Sequence, residues 1–544
     1  MKVLSAAQMR EVDRLSTEQY GVPSLVLMEN AGSAVVREMK AHFGDLRKFR
    51  IAILCGKGNN GGDGFVVARH LMMSGIPIDV RLFASAAEVK GDARVNLEIL
   101  QKSGAAIQVV DESSFTEESL TGVLRDLGEF DVVVDGLLGT GIRPPVSGFL
   151  KGVIRNLQRC RRVVAIDIPS GLECDALTEP EEPLAATSEL TVTFTAPKLA
   201  HVFSSGDGPI RRWVVVPIGS PATLVDKPSH WLNFFVEAEA IETLRGFKRV
   251  ADSHKGSYGH VVVIAGSLGK TGAASLTARS ALLAGAGLVT LGTPASCLPI
   301  VASHALEVMT ESLEATESGG VSTKAFDYGK MERLLKGKDV LALGPGLGTH
   351  AETIAFVRRL VAESTVPVIL DADAINAFAG HSDLLDGRVR MLLLTPHPGE
   401  FARLIDRSTG EILADRVGLA RKFALERQVH LILKGHRTLY ASPSGQVLVN
   451  PTGNPGMATG GSGDVLTGVL AGILGQALLL PESGKGSRLD LLERTVALAI
   501  YLHGLAGDLA RRARGEQSLL ASDIMANLSK AFLSLRETQG SLVV

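Results

Sequence analysis

Two glycine-rich segments hold the polar residues best placed to do chemistry. Residues 454–472 read NPGMATGGSGDVLTGVLAG, where Gly460-Gly461-Ser462-Gly463 delivers Asp464 to the start of a long apolar stretch. Backbone N–H groups at such a helix start point at an anion. They stabilise charge on a transferring phosphoryl group, and a carboxylate beside them can take a proton from an attacking hydroxyl. An Asp that only capped a buried helix would account for Asp464 but not for the glycines or for Asn454-Pro455-Gly456. Residues 55–71 read CGKGNNGGDGFVVARHL, with Asn59, Asn60 and Asp63 set among glycines after the apolar run FRIAIL. Glycine there permits close approach of the backbone to a ligand.

Gly56-x-Gly58-x-x-Gly61 satisfies the dinucleotide fingerprint in its letters. The fingerprint also needs an acid near the end of the second strand to hold the ribose hydroxyls. That strand ends VRLFAS, and its one acid, Asp79, stands near its start. A bound nicotinamide redox cofactor is therefore not indicated. Two further carboxylates close apolar runs: Asp135 ends VVVD before GLLGTGIRPP, and Asp167 ends VVAID before IPSGL. Either alone reads as a helix cap. Together with NNGGDG they bring three polar loops to the carboxyl edge of one sheet, where ligands of open α/β sheets bind. In the second half, Lys434 in LILKGHRT offers a phosphate a point charge, and His397 stands between two prolines in TPHPGE. No Walker A pattern occurs.

The elements that must position these residues are apolar runs of strand length alternating with helix-length segments. The runs are 50–55, 78–83, 130–137, 162–168, 190–195 and 212–219, and, after a lapse, 260–266, 287–293, 339–348, 367–373, 390–400 and 429–435. This alternation predicts an α/β protein of two domains, each a mostly parallel sheet covered by helices. The expected division is 1–219, a proline-containing linker at 220–245, and 246–544. The N-terminal stretch predicts an amphipathic helix, with Ser5 and Gln8 as a capping box and Met9, Val12 and Leu15 on one face.

At 544 residues the chain exceeds one ordinary core. Its net charge of −2 and its lack of a long Lys/Arg block argue against nucleic acid or an anionic membrane as partner. The four cysteines, Cys55, Cys160, Cys174 and Cys297, show no metal-site spacing, which predicts free thiols in a reducing, cytoplasmic setting. Val465 to Leu480 is apolar but shorter than the roughly 20 residues of a membrane span, and predicts a buried core helix.

GNNGGDGFVVAR, DGLLGTG and AIDIPSGL together resemble the NAD(P)H-hydrate epimerase domain, a Rossmann-like fold, over roughly residues 1–219. The resemblance implies a potassium ion held by Asn60, Asp135 and Ser170, hard oxygen donors that suit it. It implies that the hydrated nucleotide is held by Asn59, Asn60, Gly61, Gly62 and Asp63, and by Gly139, Thr140, Gly141, Ile142, Arg143, Pro144 and Pro145. Asp167 would contact the substrate and serve as acid/base in interconverting the 6R and 6S hydrates.

DSHKGSYGHVVVIAGS, KTGAASLTARSALLAGAGLVT, TPHPGE and NPGMATGGSGD look like the ribokinase-like NAD(P)H-hydrate dehydratase domain, from about 250 to 530. This implies that ADP (ATP in eukaryotic members) phosphorylates the hydrate's hydroxyl and that phosphate is then eliminated, leaving NAD(P)H and AMP. Asp464 would be the base. The nucleotide would lie against Lys434, Gly435, His436, Arg437 and Thr438. Asn454, Pro455, Gly456, Met457 and Ala458 would complete that site with Thr459, Gly460, Gly461, Ser462 and Gly463. The hydrate would lie near Gly348 and near His397, Pro398, Gly399, Glu400, Phe401, Ala402 and Arg403. Magnesium would offset phosphate charge. His254, Lys255 and Tyr258 receive no role. The fused order resembles bacterial bifunctional hydrate-repair enzymes, whose members commonly assemble from identical chains. The alternative is a ribokinase-like kinase of a vitamin precursor, with an N-terminal domain that only binds.

Overall fold

The computed structural model describes residues 1–110, 126–142, 146–178, 184–204, 207–481 and 487–537. The chain forms two compact units, Met1–Trp231 and Leu232–Val544.

The first unit is a seven-stranded sheet. Its strands are β1 (Ile51–Cys55), β2 (Ile78–Leu82), β3 (Ile107–Val109), β4 (Val132–Gly136), β5 (Val163–Ile166), β6 (Leu190–Phe194) and β7 (Trp213–Val216). Their order is 3-2-1-4-5-6-7, and every pairing is parallel. Both faces are covered, so β1, β4, β5 and β6 are buried along their length, as parallel strands must be. The order reverses between β1 and β4, which opens a crevice beyond their carboxyl ends. The N-terminal helix Ala6–Glu18 has the expected capping box and buries Met9, Val12 and Leu15.

The second unit is a ten-stranded sheet, ordered β11-β10-β9-β12-β13-β14-β15-β16-β17-β8. These strands are β8 (Leu232–Phe234), β9 (His260–Ile264), β10 (Leu288–Pro294), β11 (Met309–Leu313), β12 (Val340–Leu343), β13 (Val368–Leu370), β14 (Leu392–Leu394), β15 (His430–Leu433), β16 (Leu439–Ala441) and β17 (Val447–Val449). Only the pairings of β16 are antiparallel. The apolar stretch at 465–480 is a core helix, Ser462–Ala477, packed on Thr271–Leu283. Gly468 and Gly472 make that contact possible, since a Cβ would lie 2.2 Å from the Thr277 carbonyl and 2.3 Å from that of Ala281. Among the described residues no helix is long and apolar enough to cross a membrane.

The stretch 220–245, expected to be a linker, holds β8 and the helix Glu237–Leu244. β8 pairs with β17 at the sheet edge, and Phe235, Ala240, Ile241 and Leu244 enter the second unit's core. The prolines that suggested a linker cluster before this point. All four cysteines are free thiols.

Candidate active sites at two sheet edges

In the first unit the loop after β1 and the loop after β4 meet. A Cβ on Gly56 would lie 1.9 Å from the Leu137 carbonyl oxygen, and one on Gly61 would lie 1.9 Å from that of Gly56. A Cβ on Gly62 would strike Met28. These glycines serve close packing of backbone on backbone, so the reason for much of NNGGDG is internal. Gly58 alone of this group has open space in front of it.

Asn60, Asp135 and Ser170 come together as expected. Ser170 donates from Oγ to Asp135 Oδ1 (2.6 Å) and from its backbone N–H to Oδ2 (2.8 Å). The Leu137 N–H reaches Oδ1 at 3.2 Å, and Asn60 Nδ2 donates to the Leu138 carbonyl at 3.0 Å. Asp135 is buried, and burial pushes its carboxyl up against the opposing hydrogen bonds from Ser170 and Leu137. No Lys or Arg pairs with it among the described residues. One carboxylate, a hydroxyl, a carbonyl and an amide make a hard oxygen set that fits a monovalent cation.

A cavity of about 850 Å³ opens beside this cluster. Asn59, Asn60, Asp63, Gly139, Thr140, Gly141, Ile142 and Asp167 line it. Gly61 and Gly62 are buried behind it, and Arg143, Pro144 and Pro145 lie outside the described residues. Asp167 follows β5 with φ 62, centred in a three-residue turn closed by Ile168 N–H to the Ile166 carbonyl at 2.7 Å. Its Oδ1 accepts from Lys198 Nζ at 2.5 Å and from Thr193 Oγ1 at 2.9 Å. Burial alone would raise its carboxyl, but the Lys198 charge and hydrogen bond bring it below the usual range. His201 holds the Asp167 carbonyl at 2.8 Å, and burial keeps that imidazole neutral, with a pKa of about 4. Lys198 and His201 stand in TAPKLAHVF, and sequence reading passed over both because neither ends an apolar run.

In the second unit the loops after β9, β12, β13, β14 and β15 share one edge. Asp464 stands in the first turn of Ser462–Ala477, whose cap Gly461 takes φ 91. Burial pushes its carboxyl up to about 6, helped by Asp371 and Asp373 and opposed by Lys434. That value suits a general base near neutrality.

Asp371, unremarked in the run PVILDAD, is buried just past β13 and receives Lys434 Nζ (2.8 Å), Thr395 Oγ1 (2.7 Å) and Thr467 Oγ1 (2.9 Å). Lys434 is thus already matched by a carboxylate, with Glu400 a second at 3.9 Å, and is not the free point charge its motif suggested. Ala372 takes φ 49, an unfavourable backbone for a residue with a Cβ. The next residue, Asp373, accepts from Gly348 N–H at 2.7 Å and pairs with Lys270 at 3.2 Å.

His397 caps the helix Pro398–Leu404, its Nδ1 accepting from the N–H groups of Gly399 and Glu400. Arg403 is held on Asn376, and Glu400 is buried. Phe401 and Ala402 face the core, Phe401 edge-on to Phe423 at 5.5 Å, so those two side chains are turned away from any ligand. Gly435 has open space before it, while Arg437 Nη1 donates to the Pro451 carbonyl and Thr438 Oγ1 to that of Gly435; His436 sits exposed between them. Asn454 holds Gly456 N–H and Asp508, and Asp508 also holds Gly453 N–H. Pro455, Gly456 and Met457 form a short 3₁₀ turn, after which Ala458, Thr459 and Gly460 lead to the helix. Met457 packs against Gly507. His254, Lys255 and Tyr258 build a local turn in which Tyr258 bonds Ser253 under the Arg249 guanidinium.

Among the described residues no three His, Cys, Asp or Glu side chains group as a metal cage. Magnesium commonly rides on substrate phosphates with one or two carboxylates, and the carboxylates at this edge fit that mode.

Residues 24–200 match the family described as YjeF-related protein N-terminus, and residues 261–530 match NAD(P)H-hydrate dehydratase. The bifunctional NAD(P)H-hydrate repair enzyme Nnr of Moorella thermoacetica is 43% identical over 545 residues, covering 100% of this chain and 99% of that one. The enzyme of the same name from Thermofilum pendens is 37% identical over 99% of this chain and 97% of its own. A crystal structure of the ADP/ATP-dependent NAD(P)H-hydrate dehydratase from Bacillus subtilis, with ATP and Mg2+, is 28% identical, with a TM-score of 0.45 over 56% of this chain and 98% of that one. With a relative aligned end to end through both units and both edge sites, the chain belongs to the family of bifunctional NAD(P)H-hydrate repair enzymes.

Proposed function

We propose that the first unit interconverts the R and S hydrates of NADH and NADPH, and that the second dehydrates the S form at the expense of ADP. The products are NAD(P)H, AMP and phosphate. The observation that carries this reading is the pairing of two edge sites, one with an ionised Asp167 and one with Asp464 poised at a helix start, in a chain matched along its whole length to repair enzymes. The small-molecule substrates need no membrane or nucleic acid, and a cytoplasmic location accords with four free thiols.

In the first unit Asn60, Asp135 and Ser170 would hold potassium, which supplies the positive charge that buried Asp135 lacks. Asn59, Asp63 and the loop from Gly139 would hold the hydrate in the cavity, with Asp167 exchanging a proton with the oxygen borne by C6. In the second unit Asp464 takes the proton of the hydrate's hydroxyl as it attacks the terminal phosphoryl group. The N–H of Gly463, in the first turn of the helix Ser462–Ala477, would face the developing charge, while that of Ser462 is held by the Thr459 carbonyl. Lys434, tied to Asp371, keeps that carboxylate from repelling the phosphates. Magnesium would neutralise phosphate charge. Phosphate then leaves where hydroxide would not. The loops at Lys434–Thr438 and Asn454–Gly460 would hold the nucleotide, and those at Gly348 and His397–Arg403 the hydrate.

The test is recovery of absorbance at the reduced-nicotinamide band from a mixed R/S NADH hydrate, with magnesium, potassium and either ADP or ATP. Full recovery with ADP, lost in Asp464→Asn, is expected. Recovery stopping at the S fraction would remove the epimerase reading. A stable phosphorylated product would favour an ordinary kinase.

A further inference from the structure

We propose that Asp13, on the N-terminal helix, is a proton-transferring residue of the first unit's cavity and works opposite the Asp167–Lys198 pair. This rests on the epimerase reading above. The helix Ala6–Glu18 lies before the family match at 24–200. It nevertheless supplies Arg10 and Asp13 to the cavity wall that also holds Asp63, Asp167 and Lys198. Asp13 Oδ1 is shut off from solvent and has no hydrogen-bond partner. A carboxyl oxygen left so is costly as an anion, which favours the protonated carboxyl. Asp63, nine-tenths buried on the same cavity, likewise has no side-chain hydrogen bond among the described residues.

The charges around Asp13 divide the labour. Asp167 stays ionised against Lys198. Burial pushes Asp13 up to about 6, with Lys198 opposing and Asp167 adding to the rise. Burial, Asp167 and Asp13 hold Asp63 well above the usual range, so Asp63 keeps its proton. Arg10 stands on the same helix, and Lys227, beyond the packed helix Ala222–Val225, acts on Glu11. Asp13 is left as the group that gains and loses a proton near neutrality, the range in which acid–base catalysis works best.

C6 of the hydrate bears both the hydroxyl and the ring nitrogen. Asp13 donates its proton to that hydroxyl. The C–O bond breaks, water leaves with the bonding pair, and the nitrogen lone pair forms an iminium. Water adds to the opposite face, the C=N pair returns to nitrogen, and the released proton passes to Asp167. Cavity water carries it back to Asp13, so nothing is consumed. The reverse epimerisation runs the same steps backwards.

The experiment follows R-to-S conversion of NADH hydrate by chromatography, using the full chain with potassium and no nucleotide. Wild type must convert; its failure overturns the epimerase reading and this assignment with it. Given conversion, Asp13→Ala is expected to lower kcat about 100-fold with KM changed less than about threefold, and formate is expected to restore at least a tenth of the loss. A variant that keeps a third or more of kcat overturns the assignment. So does a loss confined to KM, or one that formate does not repair, since a structural role would not respond to a free carboxylic acid. Tryptophan emission reports folding, both tryptophans lying in the first unit. If Asp13→Ala loses native emission, the isosteric Asp13→Asn takes its place, and a kcat equal to wild type overturns the proposal.

Discussion

Lys198 Nζ lies 2.5 Å from Asp167 Oδ1, and the lysine is fully buried. Thr193 Oγ1 and the Phe194 carbonyl complete its shell at 2.8 and 3.2 Å. The ammonium is thus enclosed by protein groups at the cavity wall, and its charge keeps Asp167 ionised.

Lys198→Met removes that charge and leaves Asp167 buried alone. Breaking a buried pair on one side costs about 3–5 kcal/mol. Asp167 sits below its unfolded value in the native state, so its stabilisation is present above that value and is lost as pH falls through the folded one. The variant should therefore lose most at pH 7–8 and least at low pH. Tryptophan fluorescence during denaturation, reporting only Trp213 and Trp231, measures this. An equal loss at all pH values would mean the pair does not set the charge of Asp167.

Gly56→Ala and Gly61→Ala each place a methyl 1.9 Å from a carbonyl oxygen. Overpacking against backbone should cost about 3 kcal/mol or more in the first unit. Gly58→Ala meets nothing within 4 Å, and Gly58 has φ −94, which alanine accepts. Its stability should change by less than about 0.5 kcal/mol, with any loss of epimerisation appearing in KM. The same fluorescence readout ranks the three variants.

Exchange of potassium for lithium should slow epimerisation at least about tenfold, and Ser170→Ala should do the same by removing both an oxygen donor and a hydrogen bond to Asp135. A chelator of divalent ions should leave epimerisation intact and stop dehydration. Separate assays of R-to-S conversion and of NADH formation from pure S hydrate resolve these effects.

Asp464 must be ionised to act as base, so dehydration should rise as pH passes upward through about 6. The same carboxyl lies above its unfolded value, so the folded state holds the proton more tightly between about 4 and 6 and stability falls as pH rises through that window. Asp464→Asn should abolish turnover, by at least about 100-fold, and should stabilise the second unit by about 1–3 kcal/mol at pH 8. Calorimetry reads this in the unfolding transition of the second unit. An unchanged or lowered stability would place the Asp464 pKa near its ordinary value.

The sequence by itself determined the repeated strand–helix order, the buried helix Ser462–Ala477 and the polar residues that end strands, because burial on both sheet faces writes continuous apolar runs and their ends stay visible. Asn60, Asp135 and Ser170 came as a set only through the family resemblance, since nothing in their spacing ties them together. Strands of three residues, such as β3, β16 and β17, are too short to show a pattern, and β8 pairs with a strand more than 200 residues away, as the Asn233–Gln446 bond records. Only the tertiary structure decided which charges meet. Lys434 and Asp371 are 63 positions apart, Lys198 and Asp167 are 31 apart, and Asp13 reaches its cavity from a helix before the first strand. Crossover connections bring such residues side by side in space while separating them along the chain, and the low dielectric where they meet sets their protonation, a quantity no local pattern encodes.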